Sequence, residues 1–254
     1  MSANFDIHGK VALITGSSGG LGFILAQGIA GAGATIVLNG RNRDKLARAV
    51  QKLKNQNMEV AGKSFDVTDE QQVIKSVQEI EAEIGPIDIL INNDGIQRRG
   101  ALESIELDDF DKVLETHVKG AFLVSKHAAK KMIQRRRGKI INICSLLSEL
   151  GRKTVGPYAA AKGGLKMLTR AMAVDWAHYN IQVNGIGPGY FKTEMTQVLA
   201  DDPEFDAWLK QRTPAGRWGD PTELIGAAIF LASEAANFVN GHILYVDGGI
   251  MASL

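Results

Sequence analysis

The sequence predicts an α/β protein, a doubly wound parallel sheet forming a single domain over residues 1–254. Three observations carry this. Short apolar runs alternate with stretches of helical spacing from end to end. A glycine-rich turn follows the first apolar run. No linker, low-complexity segment or shift in composition divides the chain. Regular alternation of strand and helix builds βαβ units, and these give a parallel sheet covered by helices on both faces.

The elements follow in order. VALIT, from Val11, is a short apolar run of the kind that forms a strand buried on both faces. After the glycine-rich turn a helix extends through Ala30. TIVLNG, from Thr35, is the second strand, and RDKLARAVQKLKNQ is a helix with Leu46, Val50 and Leu53 on one face. MEVAGKSFDV reads as the third strand. Thr68 is the expected N-cap of a helix running to about Glu83. IDILIN is the fourth strand, followed by one long helix from about Asp108 to Arg136. KIINIC is the fifth strand, a helix spans about Pro157 to His178, and IQVNGI is the sixth. After an irregular segment come a helix near Glu223 to Ser233 and a last strand at HILYVD.

Composition narrows the partners. At a formal net charge of +1, no global field recruits nucleic acid or an anionic membrane. The run Arg135-Arg136-Arg137 reads as a solvated helix end, where cations suit the negative pole of the dipole. The one cysteine, Cys144, sits in an apolar run, forbids an intrachain disulfide and fits a reducing cytoplasm. The opening MSANFDIHGK lacks a signal-peptide apolar stretch, and no apolar run is long enough to span a bilayer. One cysteine and five scattered histidines predict no metal site.

The first turn reads Thr15-Gly16-Ser17-Ser18-Gly19-Gly20-Leu21-Gly22. Where a strand passes into a helix, backbone N–H groups and the positive dipole end face the turn and suit a pyrophosphate. Glycines let the backbone approach the anion. The spacing is Gly-x-x-x-Gly-x-Gly, not the familiar Gly-x-Gly-x-x-Gly. At the end of the second strand an acid would accept a ribose 2′-OH and repel a 2′-phosphate. Here that place holds Asn39-Gly40-Arg41, and an arginine fork suits a phosphate, so NADP is favoured over NAD.

Tyr158 and Lys162 form Tyr-x-x-x-Lys, and residues four apart share a helix face. A nearby ammonium would lower the tyrosine pKa from its ordinary value of about 10. Ser145 falls just past the fifth strand, where the active-site loops of an open α/β sheet converge, so its hydroxyl could hold a substrate oxygen beside Tyr158.

With these residues assembled, the chain resembles the classical short-chain dehydrogenases/reductases over its whole length. The matching motifs are Thr15 to Gly22, Asp66-Val67, Asn92-Asn93-x-Gly95, Ser145, Tyr158-x-x-x-Lys162, Pro188-Gly189 with Thr193, and Asp247-Gly248-Gly249. The resemblance implies a Rossmann-like domain, a homotetramer and reversible alcohol–ketone chemistry with NADP(H). It implies Tyr158 as general acid/base, Ser145 as the group orienting substrate, and Lys162 on the nicotinamide ribose. Gly16, Ser18, Gly20, Leu21 and Gly22 would carry the pyrophosphate turn. Arg41 would meet the 2′-phosphate. Asp66 and Val67 would line the adenine, Asn93 the adenosine-side ribose, and Gly189 and Thr193 the nicotinamide end, with Gly95 also in the cofactor site.

Two positions depart from the family pattern. Asp94 stands where a small apolar residue is usual, either turned to solvent or weakening the cofactor. His117 replaces an asparagine of the proton relay. Histidine can both donate and accept, and its ionisation near neutral pH would add a step to the pH profile.

Within the family, the stretches Gly95 to Arg99, Asn142 to Arg152, Gly189 to Met195 and Thr213 to Gly219 are similar to members that act on sugar acids. A bidentate arginine suits a sugar-acid carboxylate, with Arg99 the first candidate and Arg98 the second. Glu149 could accept from substrate hydroxyls. Two other readings stand beside this one: a reductase of another carbonyl such as a 3-oxoacyl thioester, and a catalytically silent NADP-binding sensor or scaffold.

Overall fold

The structure is a computed structural model that describes residues 3–193 and 196–253. Glu194 and Met195, at the end of the stretch Gly189 to Met195, lie outside the described residues. Seven strands form one sheet in the order β3-β2-β1-β4-β5-β6-β7. They are β1 (Val11–Ile14), β2 (Thr35–Asn39), β3 (Val60–Lys63), β4 (Ile87–Asn92), β5 (Gly138–Ile143), β6 (Ile181–Pro188) and β7 (Ile243–Val246), and every pairing is parallel. The order reverses between β1 and β4, which opens a crevice at the carboxyl ends of these two strands.

Helices α1 (Gly20–Gly31), α2 (Arg43–Lys54) and α9 (Ile225–Ala232) share one face of the sheet. Helices α3 (Glu70–Glu83), α5 (Ala121–Arg135) and α6 (Gly156–Trp176) take the other. In β1, Ala12 and Ile14 join the first core while Val11 and Leu13 join the second. Burial on both faces is why the central strands read as unbroken apolar runs. On α2, Leu46 and Leu53 are buried and Val50 packs against them.

Three expectations change. Asp69, not Thr68, caps α3: its side chain accepts from Gln71 and Gln72 N–H, while Thr68 turns its hydroxyl and N–H to Asp66. The long helix is not continuous. Helix α4 (Leu107–Leu114) passes through a π-helical turn at Glu115–Gly120 into α5, and His117 stands on that turn. The helix placed near Glu223 begins as a 3₁₀ turn at Pro221–Leu224 under an Asp220–Glu223 capping box, before α9. The short helices α7 (Gln197–Ala200) and α8 (Pro203–Arg212) fill the irregular segment. No helix among the described residues is long and apolar enough to cross a membrane.

Candidate active site

The loops after β1, β4, β5 and β6 meet at the crevice. Their residues line one cavity of about 230 Å³, with Gly16, Gly20, Leu21, Asn93, Gly95, His117, Ser145, Tyr158, Lys162, Gly189 and Thr193 in its wall. Helix α1 opens into this cavity from Gly19, and among the described residues no side chain caps its first turn. Its N–H donors are therefore left for an anion. Gly16 and Gly20 have φ of +59° and +55°, which only glycine adopts without cost. Buried Asn39 braces the turn, accepting from Gly16 N–H through Oδ1 at 3.1 Å and donating through Nδ2 to the Phe65 carbonyl at 3.0 Å. Gly22 lies behind the wall: a Cβ there would come within 2.4 Å of Asn93 Nδ2 and 2.7 Å of the Gly16 carbonyl. The absent side chain lets α1 start close against the turn and the loop after β4.

At the adenosine end Ser18 sits on an open groove between α1 and α2, opposite Lys45, Arg48 and Lys52. Arg41 is exposed and its Nη1 is 3.4 Å from Asp66 Oδ2. Asp66 gives its other oxygen to Thr68, and these donors hold its carboxyl below the usual range despite partial desolvation. Val67 is buried against Gly120. The residues around this end thus present cations to any phosphate on the adenosine ribose. Sequence reading found Arg41 but not Lys45 or Arg48, which face the turn only because α2 packs beside α1.

Ser145 leaves β5 in extended conformation and caps the following 3₁₀ turn, accepting from Leu147 N–H at 3.1 Å. Tyr158 and Lys162 stand one turn apart on α6. Lys162 is buried and donates to the Ile143 carbonyl at 2.5 Å, with its ammonium 5.5 Å from the Tyr158 ring centre. The electrostatics differ from the expectation that Lys162 lowers the tyrosine pKa. Desolvation pushes Tyr158 up to about 12, against a lowering hydrogen bond from Ser145. Desolvation likewise brings Lys162 down to about 8. Loss of water, not the Lys162 charge, is thus what sets the direction of the Tyr158 shift.

His117 is buried, and its Nε2 lies 2.8 Å from the Ile96 carbonyl and 3.2 Å from Ile96 N–H. Among the described residues its Nδ1 has no hydrogen-bond partner. Desolvation, then the Lys162 charge, depresses its pKa to about 3. It is therefore neutral across the physiological range, and the expected step near neutral pH does not arise from it. Gly95 makes room for this ring: a Cβ there would lie 2.2 Å from His117 Cε1. Asp94 is half-buried in the cavity wall and caps Gly95 N–H at 2.9 Å. Burial raises its carboxyl above the usual range, partly offset by the Arg41 charge. It lines the cavity and is not turned wholly to solvent.

On the loop after β4 Arg98 turns to Asp109 of α4 at 3.0 Å, and neither it nor Arg99 lines the cavity wall. Arg99 is exposed, and its pKa is lowered by desolvation and then by the nearby charge of Arg152. Glu149 is engaged elsewhere. One oxygen accepts from Lys166 at 2.5 Å and the other from Tyr245 Oη at 2.8 Å, so it braces α6 to β7 and does not line the cavity. Arg152 and Tyr190, both within stretches noted for their resemblance but given no role, are joined at 3.1 Å.

Fold and crevice together define a short-chain dehydrogenase/reductase, and the chain belongs to that family. The family model described as enoyl-(acyl carrier protein) reductase matches residues 16–251. The chain is 54% identical to a 2-dehydro-3-deoxy-D-gluconate 5-dehydrogenase of Formosa agariphila, over 98% of this chain and 96% of that one. It is 50% identical to a 5-keto-D-gluconate 5-reductase of Escherichia coli K12 across the full length of both. A crystal structure of gluconate 5-dehydrogenase from Burkholderia cenocepacia in complex with NADP and tartrate superposes with a TM-score of 0.97 at 50% identity, covering 99% of each chain.

Proposed function

We propose that this protein is an NADP(H)-dependent oxidoreductase that interconverts D-gluconate and 5-keto-D-gluconate, reducing or forming a ketone at C5 of a sugar acid. The observation that carries the reading is the meeting of Ser145, Tyr158 and Lys162 in the wall of one cavity that also receives the uncapped start of α1. The names of the three similar proteins reported above place the chemistry at C5 of such an acid or on gluconate itself. The glycine cradle, the open donors of α1 and the cations Arg41, Lys45 and Arg48 fit NADP.

When bound, the nicotinamide supplies hydride exchange with the substrate carbon. The chain's own residues handle the proton. In the reductive direction the Tyr158 phenol gives its proton to the developing alkoxide. In oxidation the phenolate takes it back. Ser145 Oγ holds that same oxygen, a preorganised donor where charge develops. Lys162 sits on the nicotinamide-ribose side, anchored by Ile143. His117, neutral, fixes the Ile96 backbone and stands beside the tyrosine. Asn93, which donates to the Thr15 and Gly16 carbonyls, holds the turn for the ribose. The family resemblance also supports a homotetramer, for which exposed Phe122 on α5 and Met167 and Val174 on α6 offer apolar contact surface. The lone buried cysteine suits the cytoplasm.

Nicotinamide absorbance tests this. NADPH should be consumed with 5-keto-D-gluconate far faster than NADH. Turnover of 3-oxoacyl thioesters with none of sugar acids would overturn the reading, as would absence of any turnover.

A further inference from the structure

Arg152 takes no part in proton transfer, yet the fold holds it with care at the substrate end. Its Nη1 donates to Tyr190 Oη at 3.1 Å. Its guanidinium lies 5.1 Å from the Phe205 ring centre and 6.0 Å from that of Tyr190. Tyr190 in turn meets Phe205, Trp208 and Trp218 edge-on, and Trp218 is pinned by Nε1–H donation to Asp206 at 2.7 Å. Two aromatic faces and one hydrogen bond hold the guanidinium in place, and among the described residues its remaining N–H donors are unspent.

A second guanidinium is brought to it. The loop after β4 carries Arg99 and the loop after β5 carries Arg152. The two loops are tied by Gly100 N–H donating to the Thr154 carbonyl at 3.0 Å. Thr154 holds a φ of +68°, a strained backbone for a β-branched residue. The charges are close enough that Arg152 helps to depress Arg99. Among the described residues neither arginine has an acidic partner, whereas Arg98 next door has Asp109. Two like charges held together without a counter-charge are costly unless an anion joins them. Tyr190 brings this pair beside the reacting centre: it is bonded to Arg152 and stands in the chain between Gly189 and Phe191, both in the cavity wall with Ser145 and Tyr158.

We propose that Arg152, aligned by Tyr190 and Phe205, is the second jaw of a clamp with Arg99 that grips the substrate carboxylate and selects acids over uncharged ketoses. This rests on the sugar-acid reading above and adds to it the residue that enforces the preference.

The test compares wild type and Arg152→Gln on 5-keto-D-gluconate and on 5-keto-D-fructose, an uncharged ketose with the same C5 carbonyl. Loss of a charge-assisted fork should lower kcat/KM for the acid by about 10- to 100-fold, mostly through KM. The uncharged ketose should change by less than about twofold, so that discrimination collapses. Equal losses on both substrates, or no loss on the acid, overturn the proposal. Tartrate titrated calorimetrically into the NADP-bound enzyme gives a readout free of turnover: its affinity should fall in the variant, and unchanged affinity overturns the clamp. This arm also separates the two readings. A wild type that binds tartrate through Arg152 but does not turn over 5-keto-D-gluconate fails the function and keeps the clamp. If Arg152→Gln melts early, Tyr190→Phe removes the aligning hydrogen bond and keeps the ring. It should raise KM for the acid alone, and a rise shared by both substrates overturns the alignment.

Discussion

The imidazole of His117 stands edge-on to the phenol ring of Tyr158, 5.2 Å between centres and at 90°. A charged imidazolium there would face both the Lys162 ammonium and a dry wall. The pKa of about 3 removes that conflict. His117 therefore contributes shape and a hydrogen bond to the Ile96 backbone, not titration. His117→Asn should leave the pH dependence of kcat/KM between about pH 5 and 9 without a gained or lost step. A step near pH 6.5 in the wild type that vanishes in the variant would contradict this.

Tyr158→Phe should lower kcat by about 10²- to 10⁴-fold while NADPH binding, followed by fluorescence, stays largely intact. Direction matters for the pH profile. With the phenol raised towards about 12, oxidation needs a minor phenolate and should quicken as pH rises, whereas reduction starts from the dominant phenol and should not. Stopped-flow rates in both directions check the sign. Oxidation that is independent of pH through the alkaline range would refute the role.

Arg41→Ala should raise KM for NADPH by about 10- to 100-fold and leave that for NADH nearly unchanged, since only the former carries a 2′-phosphate to pair. Equal effects on the two cofactors would mean that Arg41 only supports the loop.

Asp94→Asn removes a negative charge from the cavity wall while keeping an acceptor for Gly95 N–H. NADP should bind more tightly by about tenfold at neutral pH. In the wild type the carboxyl titrates above its usual range, so affinity should fall as pH rises through that raised value. The variant should lose this dependence. Calorimetry across pH reads both effects.

Gly22→Ala should cost about 1–3 kcal/mol of stability, because the added methyl meets the Asn93 side chain and the Gly16 carbonyl with no room to yield. A thermal melt measures it. A neutral result would show that α1 can slide away from β1.

The glycine turn, Ser145, Tyr158 and Lys162 were readable because each motif is local and its partner lies one helical turn or one strand end away. The alternating runs gave the strands for the same reason, since burial on both faces leaves a contiguous apolar mark. What the sequence hides is pairing across loops. Arg98 and Arg99 are adjacent, and only Asp109 decides which one is spent. Glu149 seemed free until Lys166 and Tyr245 claimed it from another helix and strand. Arg152 acquires meaning from Tyr190 and Phe205, both far along the chain. The pKa order in the cavity is equally invisible, because desolvation depends on walls that several loops build together.

The π-helical turn at Glu115–Gly120 holds one residue more than an α-helical path needs. Deleting Thr116 would let α4 run straight into α5 with the outer faces of both helices in their present phase, so the cost would fall on the turn itself. His117 would lose the wide turn that sets its ring against the Ile96 backbone, and the cavity would lose that part of its wall. A one-residue deletion here should therefore spare the fold and spoil the site.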